Sequence, residues 1–510
     1  MSLSDSRLKW GLVAMVMAAL AALAFALQPR PFYQDAGVFI VIGRGYLSGL
    51  GPFKDLFDNK PPGIYLVGAM AWLLDKGDST LSMQALSVAA VSITATACGW
   101  LVSAVFSRFW AGVATAGCVV GGLTLPVIST GGGTTELFCG PGLAVSFACI
   151  VAMLLQRKGL RWPAAAGAAF AWAFGCSLLT VAALPALALL WLTIPVDGAP
   201  YALERSNWST WMRRRAFDRR LAAALAGAAA MSLVIWLPVI VTGSVPAALD
   251  GLIRYNAVYQ ASAVFTPSDW VLAIKTMYPL WLPIVGVCLV PTRHWLPLGF
   301  RMLAHSNLMR AAVLWAVVAL ALQLFGRRMF FHYMLLLVPP LGLVLGCVLA
   351  SLRLERPLIS PRLVALALCV AVVGGLGWRW RLPVISSSVA QNVQLADYVN
   401  ANSSPADAVF AWGYDPALYL EADRSPEGPY MSLVPFVVPG YGEGAVATAL
   451  ERWQAHPPRL IVSGSSGSDL LALWALDYPD PALAPLEAFV HSHYKVVASR
   501  PGGMVWQYSG

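Results

Sequence analysis

Residues Pro29–Asp78 read PRPFYQDAGVFIVIGRGYLSGLGPFKDLFDNKPPGIYLVGAMAWLLDKGD, and the placement of this stretch decides the fold. It holds two apolar segments, Ala36–Leu50 and Gly63–Leu74, each bounded by charge. A helix needs roughly 17–25 residues to cross about 30 Å of hydrocarbon, so short charge-bounded runs such as these read as interfacial or re-entrant helices. Pro61 and Pro62 start the second one, because proline's fixed φ suits a first helical turn. Two helices lying along a membrane surface would hold Asp35, Asp55, Asp58 and Lys60 at the boundary between water and lipid.

The surrounding chain supplies that membrane. Of its 510 residues, 58% are hydrophobic and 12% charged, against roughly 45–50% apolar and about 25% charged in a soluble domain. A soluble chain of this length divides into domains with polar surfaces, and most of this sequence lacks the residues to make them. About eleven apolar runs are long enough to cross, at 10–27, 81–106, 109–128, 136–156, 162–178, 180–196, 220–242, 277–291, 310–326, 332–352 and 362–379. The first, Trp10–Leu27, follows Arg7 and Lys9 and contains Ala24-Phe25-Ala26, which also suits a cleaved signal peptide. Its length and the many later runs favour an uncleaved first span with a cytoplasmic N-terminus.

Threading the runs from that start gathers Arg157, Lys158, Arg161, Arg205, Arg213, Arg214, Arg215, Arg219, Arg220, Arg293, Arg301, Arg310, Arg353, Arg356 and Arg362 on the cytoplasmic side, the positive-inside pattern. The excess of 34 Lys and Arg over 25 Asp and Glu, a formal +9, therefore reports cytoplasmic loops and not a nucleic-acid partner. An odd number of spans carries everything after about residue 382 to the outer side. There the composition shifts to Ser, Pro, Asp and Glu, with strand-like runs at Ala408–Trp412, Leu460–Ser463 and Tyr494–Ala498 and a helical stretch at Ala445–Gln454. That reads as a small α/β domain.

The expected fold class is thus a multi-spanning all-α membrane protein of about eleven transmembrane helices with a small C-terminal α/β extracytoplasmic domain. Its transmembrane module covers 1–381, with interfacial helices in a first outer loop at 28–80, and the outer domain covers 382–510. The eight cysteines lie within or at the edge of apolar runs, without a C-x-x-C spacing, and read as packing residues. No internal repeat or pair of interrupted spans appears, which argues against a secondary transporter.

A phosphate on a polyprenyl tail sits at the depth of the two short helices while its sugar projects into water. An enzyme using such a substrate needs cations and a carboxylate at that depth, and the loop offers both. Tyr33-Gln34-Asp35, the Gly43–Gly49 segment and Asp58-Asn59-Lys60-Pro61-Pro62-Gly63-x-Tyr65 resemble the first outer loop of the GT-C membrane glycosyltransferases. That superfamily includes the protein O-mannosyltransferases, the lipid A aminoarabinose transferases and the sugar transferases of the lipopolysaccharide core. Thr134-Thr135-Glu136, Gly326-Arg327-Arg328-Met329-Phe330-Phe331-His332-Tyr333 and Val409–Asp415 extend the resemblance over nearly the whole chain. Many members carry two adjacent acids after the first span, whereas Asp35 here stands between Gln34 and Ala36.

The resemblance implies an inverting transferase that moves a sugar from a polyprenyl-phosphate donor to an acceptor hydroxyl. It would work at the outer, periplasmic face of a bacterial cytoplasmic membrane. Asp35, with Glu136 as a second acid, would be the catalytic candidate. Lys60, Arg254, Arg327, Arg328 and His332 would bind the donor phosphate, supported by Asp58, Tyr65 and Tyr333. The partners implied are the lipid-linked donor, an acceptor that is a glycan, lipid or protein, and membrane lipids. No cofactor is required by the sequence, and a divalent cation stays open. A ligase or polymerase using a diphosphate-linked glycan is the enzymatic alternative, and a lipid or solute transporter the non-enzymatic one.

Each residue also has a plainer reading. Asp35 suits a helix N-cap, Lys60 a lysine snorkelling to the interface, and Glu136 the first turn of a helix. Arg328 and His332, four residues apart and so on one helical face, suit anionic headgroups as well as a donor phosphate. Gly131-Gly132-Gly133 lacks the Lys-Ser/Thr of a phosphate loop and reads as a turn. The segment Trp412–Asp415 is expected to face the cavity over Asp35.

Overall fold

The computed structural model describes residues 3–28, 35–76, 79–129, 131–155, 159–193, 219–262, 306–326, 330–351, 394–413, 416–464, 481–500 and 503–510. The runs expected at 277–291 and 362–379 lie outside the described residues, as do Tyr33, Gln34, Arg327, Arg328, Tyr414 and Asp415. The chain divides into two compact units. One comprises Met1–Gln28, Ala85–Ile235 and Phe265–Gly377; the other comprises Pro29–Gln84, Trp236–Val264 and Trp378–Gly510.

The chain is a multi-pass membrane protein by the character of its helices. Among the described residues, six helices are long and apolar enough to cross a bilayer: Ser6–Ala26, Ser79–Phe106, Thr135–Leu154, Arg219–Val241, Asn307–Phe325 and His332–Ser351. Phe109–Leu123 and Leu178–Leu192 are apolar but shorter. In hydrocarbon a helix satisfies its own backbone, so these sequences need no polar face. The first helix, α1 (Leu3–Ala26), buries Met17, Ala21 and Phe25 while Leu8, Leu12, Met15 and Leu23 face outward.

Since lipid tails are as apolar as leucine, helices in the first unit associate through close packing rather than water exclusion. A Cβ added at Gly167 would strike the carbonyl of Ala224, and one at Gly227 would strike the carbonyl of Ala164. Helices Arg161–Cys176 and Arg219–Val241 therefore meet backbone to backbone. Elsewhere in this unit Phe147 and Trp315 stack with ring centroids 4.9 Å apart. The connection before Thr135–Leu154 takes Gly131, Gly132 and Gly133 through φ of 82°, 103° and 81°, which strongly favours glycine. The Gln28 carboxamide accepts from Ser129 Oγ at 2.8 Å and Gly131 N at 3.3 Å, while Gly133 N donates to Ser87 Oγ at 2.9 Å. These amides serve the turn itself.

The second unit contains α2 (Asp35–Leu47), α3 (Gly63–Leu74), the 236–264 segment and a five-stranded sheet. Its strands are β1 (Ala408–Trp412), β2 (Ser425–Pro426), β3 (Leu460–Gly464), β4 (Tyr494–Arg500) and β5 (Gly503–Tyr508), in the order β2-β1-β3-β5-β4. β1 runs parallel to both β2 and β3, and β5 runs antiparallel to β3 and β4. The interior strand β1 buries Val409, Phe410, Ala411 and Trp412 in succession, the continuous apolar run expected of a strand covered on both faces. Helix Gly442–Ala455 covers it with Trp453, whose ring lies 4.8 Å from Phe410.

Candidate functional site

Helices α2 and α3 cross at a glycine contact that only those residues permit. A Cβ on Gly43 would overlap the backbone of Gly68 and Ala69, and one on Gly68 would overlap the Phe39 carbonyl. The crossing brings the Tyr65 ring to 6.2 Å from Phe39 and 5.6 Å from Phe53. Phe53 turns the intervening loop with φ of 67°, and Asp55 Oδ2 accepts from Gly51 N at 2.7 Å. Asp55 thus closes the loop on itself, and the loop delivers Asp58, Asn59 and Lys60 to the start of α3.

The Tyr65 hydroxyl is shared between Asp58 Oδ2 at 3.1 Å and the Lys60 carbonyl at 2.9 Å. Burial holds the Asp58 carboxyl above the usual carboxylate range, the Lys60 cation pulls it down, and the Asp35 carboxylate pushes it up. Asp35, at the first turn of α2, therefore shares one electrostatic neighbourhood with Asp58 and Lys60. Here an acid at the head of a helix, a second, half-buried acid and a lysine converge.

Lys60 is aimed by amides. Its Nζ donates to Asn59 Oδ1 at 3.0 Å, and Asn59 Nδ2 donates to Asn256 Oδ1 at 2.8 Å. Asn256 Nδ2 returns bonds to the Asn59 carbonyl at 3.0 Å and the Leu252 carbonyl at 3.1 Å. Asn256 follows a π-helical turn, Asp250–Tyr255. In that turn the exposed Arg254 pairs with Asp250 at 3.3 Å and lies 5.6 Å over the Tyr441 ring, while the Tyr441 hydroxyl donates to Asp250 Oδ2 at 3.0 Å. Burial, Tyr430 and the Asp250 carboxylate all raise the Tyr441 hydroxyl above the usual phenol range. Beneath this layer Phe57 packs against Tyr255, Tyr430 and Tyr441 at 5.2, 5.4 and 5.8 Å, and its N–H donates to the Pro429 carbonyl at 2.6 Å.

Of the residues singled out from sequence, Asp35, Asp58, Lys60, Tyr65 and Arg254 fall within this unit. Glu136, His332 and Tyr333 belong to the other unit, and Arg327 and Arg328 lie outside the described residues. Glu136 is buried at the start of helix Thr135–Leu154, where Thr135 Oγ1 donates to its Oε1 at 2.7 Å. His332 stacks on Phe330 with ring centroids 5.5 Å apart, and the Tyr333 carbonyl accepts from Gln323 Nε2 at 2.8 Å. Trp412 departs from its expected place facing a cavity. It is fully buried beside Phe410 and Trp453, because a large apolar side chain on an interior strand is worth more in the sheet's core. Sequence reasoning passed over Asn256, Asp250 and Tyr441. Their partners Asn59 and Arg254 stand in segments that drew attention, while the Asn59–Asn256 and Tyr441–Asp250 contacts span nearly two hundred residues and leave no local signal.

Among the described residues no group of three or more His, Cys, Asp or Glu stands where it would hold a metal ion.

The fold is similar to those of two solved membrane transferases, a likeness of fold at low sequence identity. ArnT from Cupriavidus metallidurans, crystallised bound to undecaprenyl phosphate, superposes with a TM-score of 0.57 at 14% identity, covering 99% of this chain and 98% of that one. Its apo form gives 0.57 at 16% identity over the same shares. The apo oligosaccharyltransferase of Archaeoglobus fulgidus gives 0.52 at 12% identity, covering 98% of this chain and 74% of that one. By sequence, no family model and no curated protein matches the chain.

Proposed function

We propose that the protein is an inverting glycosyltransferase that takes a sugar from a polyprenyl-phosphate carrier at the outer face of a bacterial cytoplasmic membrane. The convergence of Asp35, Asp58 and Lys60 between two short apolar helices carries this reading. ArnT, bound to undecaprenyl phosphate, shares the fold and supports the choice of donor class.

In the reaction the acceptor hydroxyl oxygen attacks the anomeric carbon as the bond from that carbon to the phosphate oxygen breaks. The single displacement inverts the centre. Asp35 takes the hydroxyl proton, and a positioned carboxylate in that role is worth roughly 10²–10⁴ in rate. Lys60, held by Asn59, faces the negative charge that grows on the departing lipid phosphate, with Arg254 as the second cation. Asp58 stands beside Lys60 and sets the local field; its bond from Tyr65 fixes the loop's entry into α3.

The test is transfer by the purified protein in detergent from a panel of polyprenyl-phosphate sugars, with Asp35→Asn as control and the anomeric configuration of the product determined. Turnover on at least one donor with inversion, lost in Asp35→Asn, supports the reading. Activity only on diphosphate-linked donors, or retention of configuration, would overturn it. The same assay with and without a chelator reads any need for a divalent cation.

A further inference from the structure

Helix α2 is gripped from behind by the C-terminal tail. Gly37 and Arg44 are seven residues apart, so they fall on one face of α2. Asp35 lies about 160° around the helix from Gly37. On the Gly37 face, a Cβ would come to 3.1 Å from both Ala417 N and Pro416 Cγ. Two turns further, Arg44 Nη1 donates to the Tyr419 carbonyl at 3.3 Å and pairs with Asp423 Oδ1 at 3.2 Å, and Nη2 donates to the Arg424 carbonyl.

The grip is built on both sides. Tyr419, Asp423 and Arg424 lie in and just beyond helix Ala417–Glu421, whose last carbonyls have no partners within the helix. Asp423 takes φ of 45°, and this turn directs the Tyr419 and Arg424 carbonyls to the Arg44 guanidinium. Arg424 supports the turn from its other side through the Ala422 carbonyl at 2.8 Å, the Asp423 carbonyl at 3.1 Å, and Ser403 Oγ at 2.9 Å. Arg44 is largely buried, with 13% of its side chain exposed, and its guanidinium also lies 5.4 Å from the Trp72 ring of α3. A planar fork with several fixed donors is required here, and lysine cannot reproduce it.

We propose that Arg44 is a positioning residue for Asp35: by fastening α2 to the tail turn at 416–424, it fixes the rotation and axial register of the helix that presents the base. The tail then contributes to turnover without supplying a reacting group. This rests on the reading of Asp35 as the base. A helix released on the Gly37 and Arg44 face turns about its contact with α3, and a displacement of about 1 Å at a reacting group costs on the order of 10²-fold in rate.

The experiment uses the full-length protein in the same transfer assay, with Asp35→Asn, Arg44→Gln, Arg44→Lys and Gly37→Val. Arg44→Gln is expected to lower kcat by roughly ten- to a hundredfold while donor KM moves by less than about twofold. The acid limb of its kcat–pH profile should shift, because the base has new surroundings. Gly37→Val, which pushes the tail turn away, should show the same split, and Arg44→Lys should recover part of kcat. If Arg44→Gln does not elute as folded protein, Arg44→Lys and Gly37→Val carry the reading. Wild-type kcat and an unshifted profile in these variants, beside an inactive Asp35→Asn, would overturn this inference alone. A rise in donor KM at constant kcat would also overturn it, by placing Arg44 at the donor. An active Asp35→Asn would instead remove the base assignment on which it stands.

Discussion

In the proposed displacement Asp35 and Lys60 would meet different atoms, so their replacements should fail in different ways. Asp35→Asn keeps size and polarity but cannot accept the proton; turnover should fall by roughly 10²–10⁴-fold with donor affinity nearly intact. Lys60→Ala removes the cation that in this reading would serve the bound phosphate, and serve it better as charge grows, so both donor affinity and kcat should drop. Steady-state kinetics against donor concentration separates the two. Asn256→Ala acts one step further out. It leaves Asn59 Nδ2 without its acceptor and frees the amide that aims Lys60, so donor KM should rise with a smaller change in kcat. Asp58 gives a pH signature. Its folded carboxyl is raised above 3.8, chiefly by burial. The folded state therefore binds the proton more tightly than the unfolded chain, and the stability this adds at low pH is lost as pH rises through the raised value. Asp58→Asn has no such dependence, so its unfolding temperature relative to wild type should climb from about pH 4 upward and then level off. A difference that is flat with pH would mean that Asp58 does not titrate abnormally in the folded protein.

At the scale of elements, the short helices α2 and α3 owe their relation to two glycines and not to apolar area alone. Gly68→Ala sets a methyl against the Phe39 carbonyl, and the helices must part to admit it. Overpacking of this kind costs about 1–3 kcal/mol. Thermal unfolding should fall accordingly, and turnover should fall further because Asp35 rides on α2 while Tyr65 rides on α3. The two helices themselves were legible, since charge and proline mark their ends: α3 begins at Gly63 behind Pro61-Pro62 and stops before Asp75. The strands were legible for a similar reason, as Ala408–Trp412 is a short apolar run between turn residues. Their partners were not. Nothing in Gly68 announces Phe39, nothing in Phe57 announces Tyr430 and Tyr441, and nothing in Arg44 announces a tail turn at 419–424. Each of those pairings is made by tertiary approach, which leaves no period in the sequence. Asp35 and Lys60 drew attention because a charge beside an apolar run is conspicuous, while Asn256, neutral and half-buried, did not.

For the whole molecule, the second unit constrains the path of the chain. Its polar segments, at 48–62, 250–262 and 394–510, pack on one another through Asn59–Asn256, Tyr441–Asp250 and Phe57–Pro429. Segments joined by such contacts share one side of a membrane. The chain is then expected to cross an even number of times between residues 84 and 236, and again between 264 and 378. The sequence expectation of six apolar runs across the first interval and four in the second is even in each, with the run at 10–27 expected as a first crossing. On that reading the arginine-rich segment 213–220 is expected opposite the first loop and the tail, as the positive-inside rule asks. A reporter that matures only outside the cytoplasm, fused after residue 390, should therefore give signal, and so should one inserted after residue 50. One inserted after residue 215 should be silent. Opposite answers at 50 and 390 would break the shared side that Asn59, Phe57 and Arg44 require. Silence at both, with signal at 215, would put Asp35 and Lys60 in the cytoplasm and remove the outer-face donor from the mechanism.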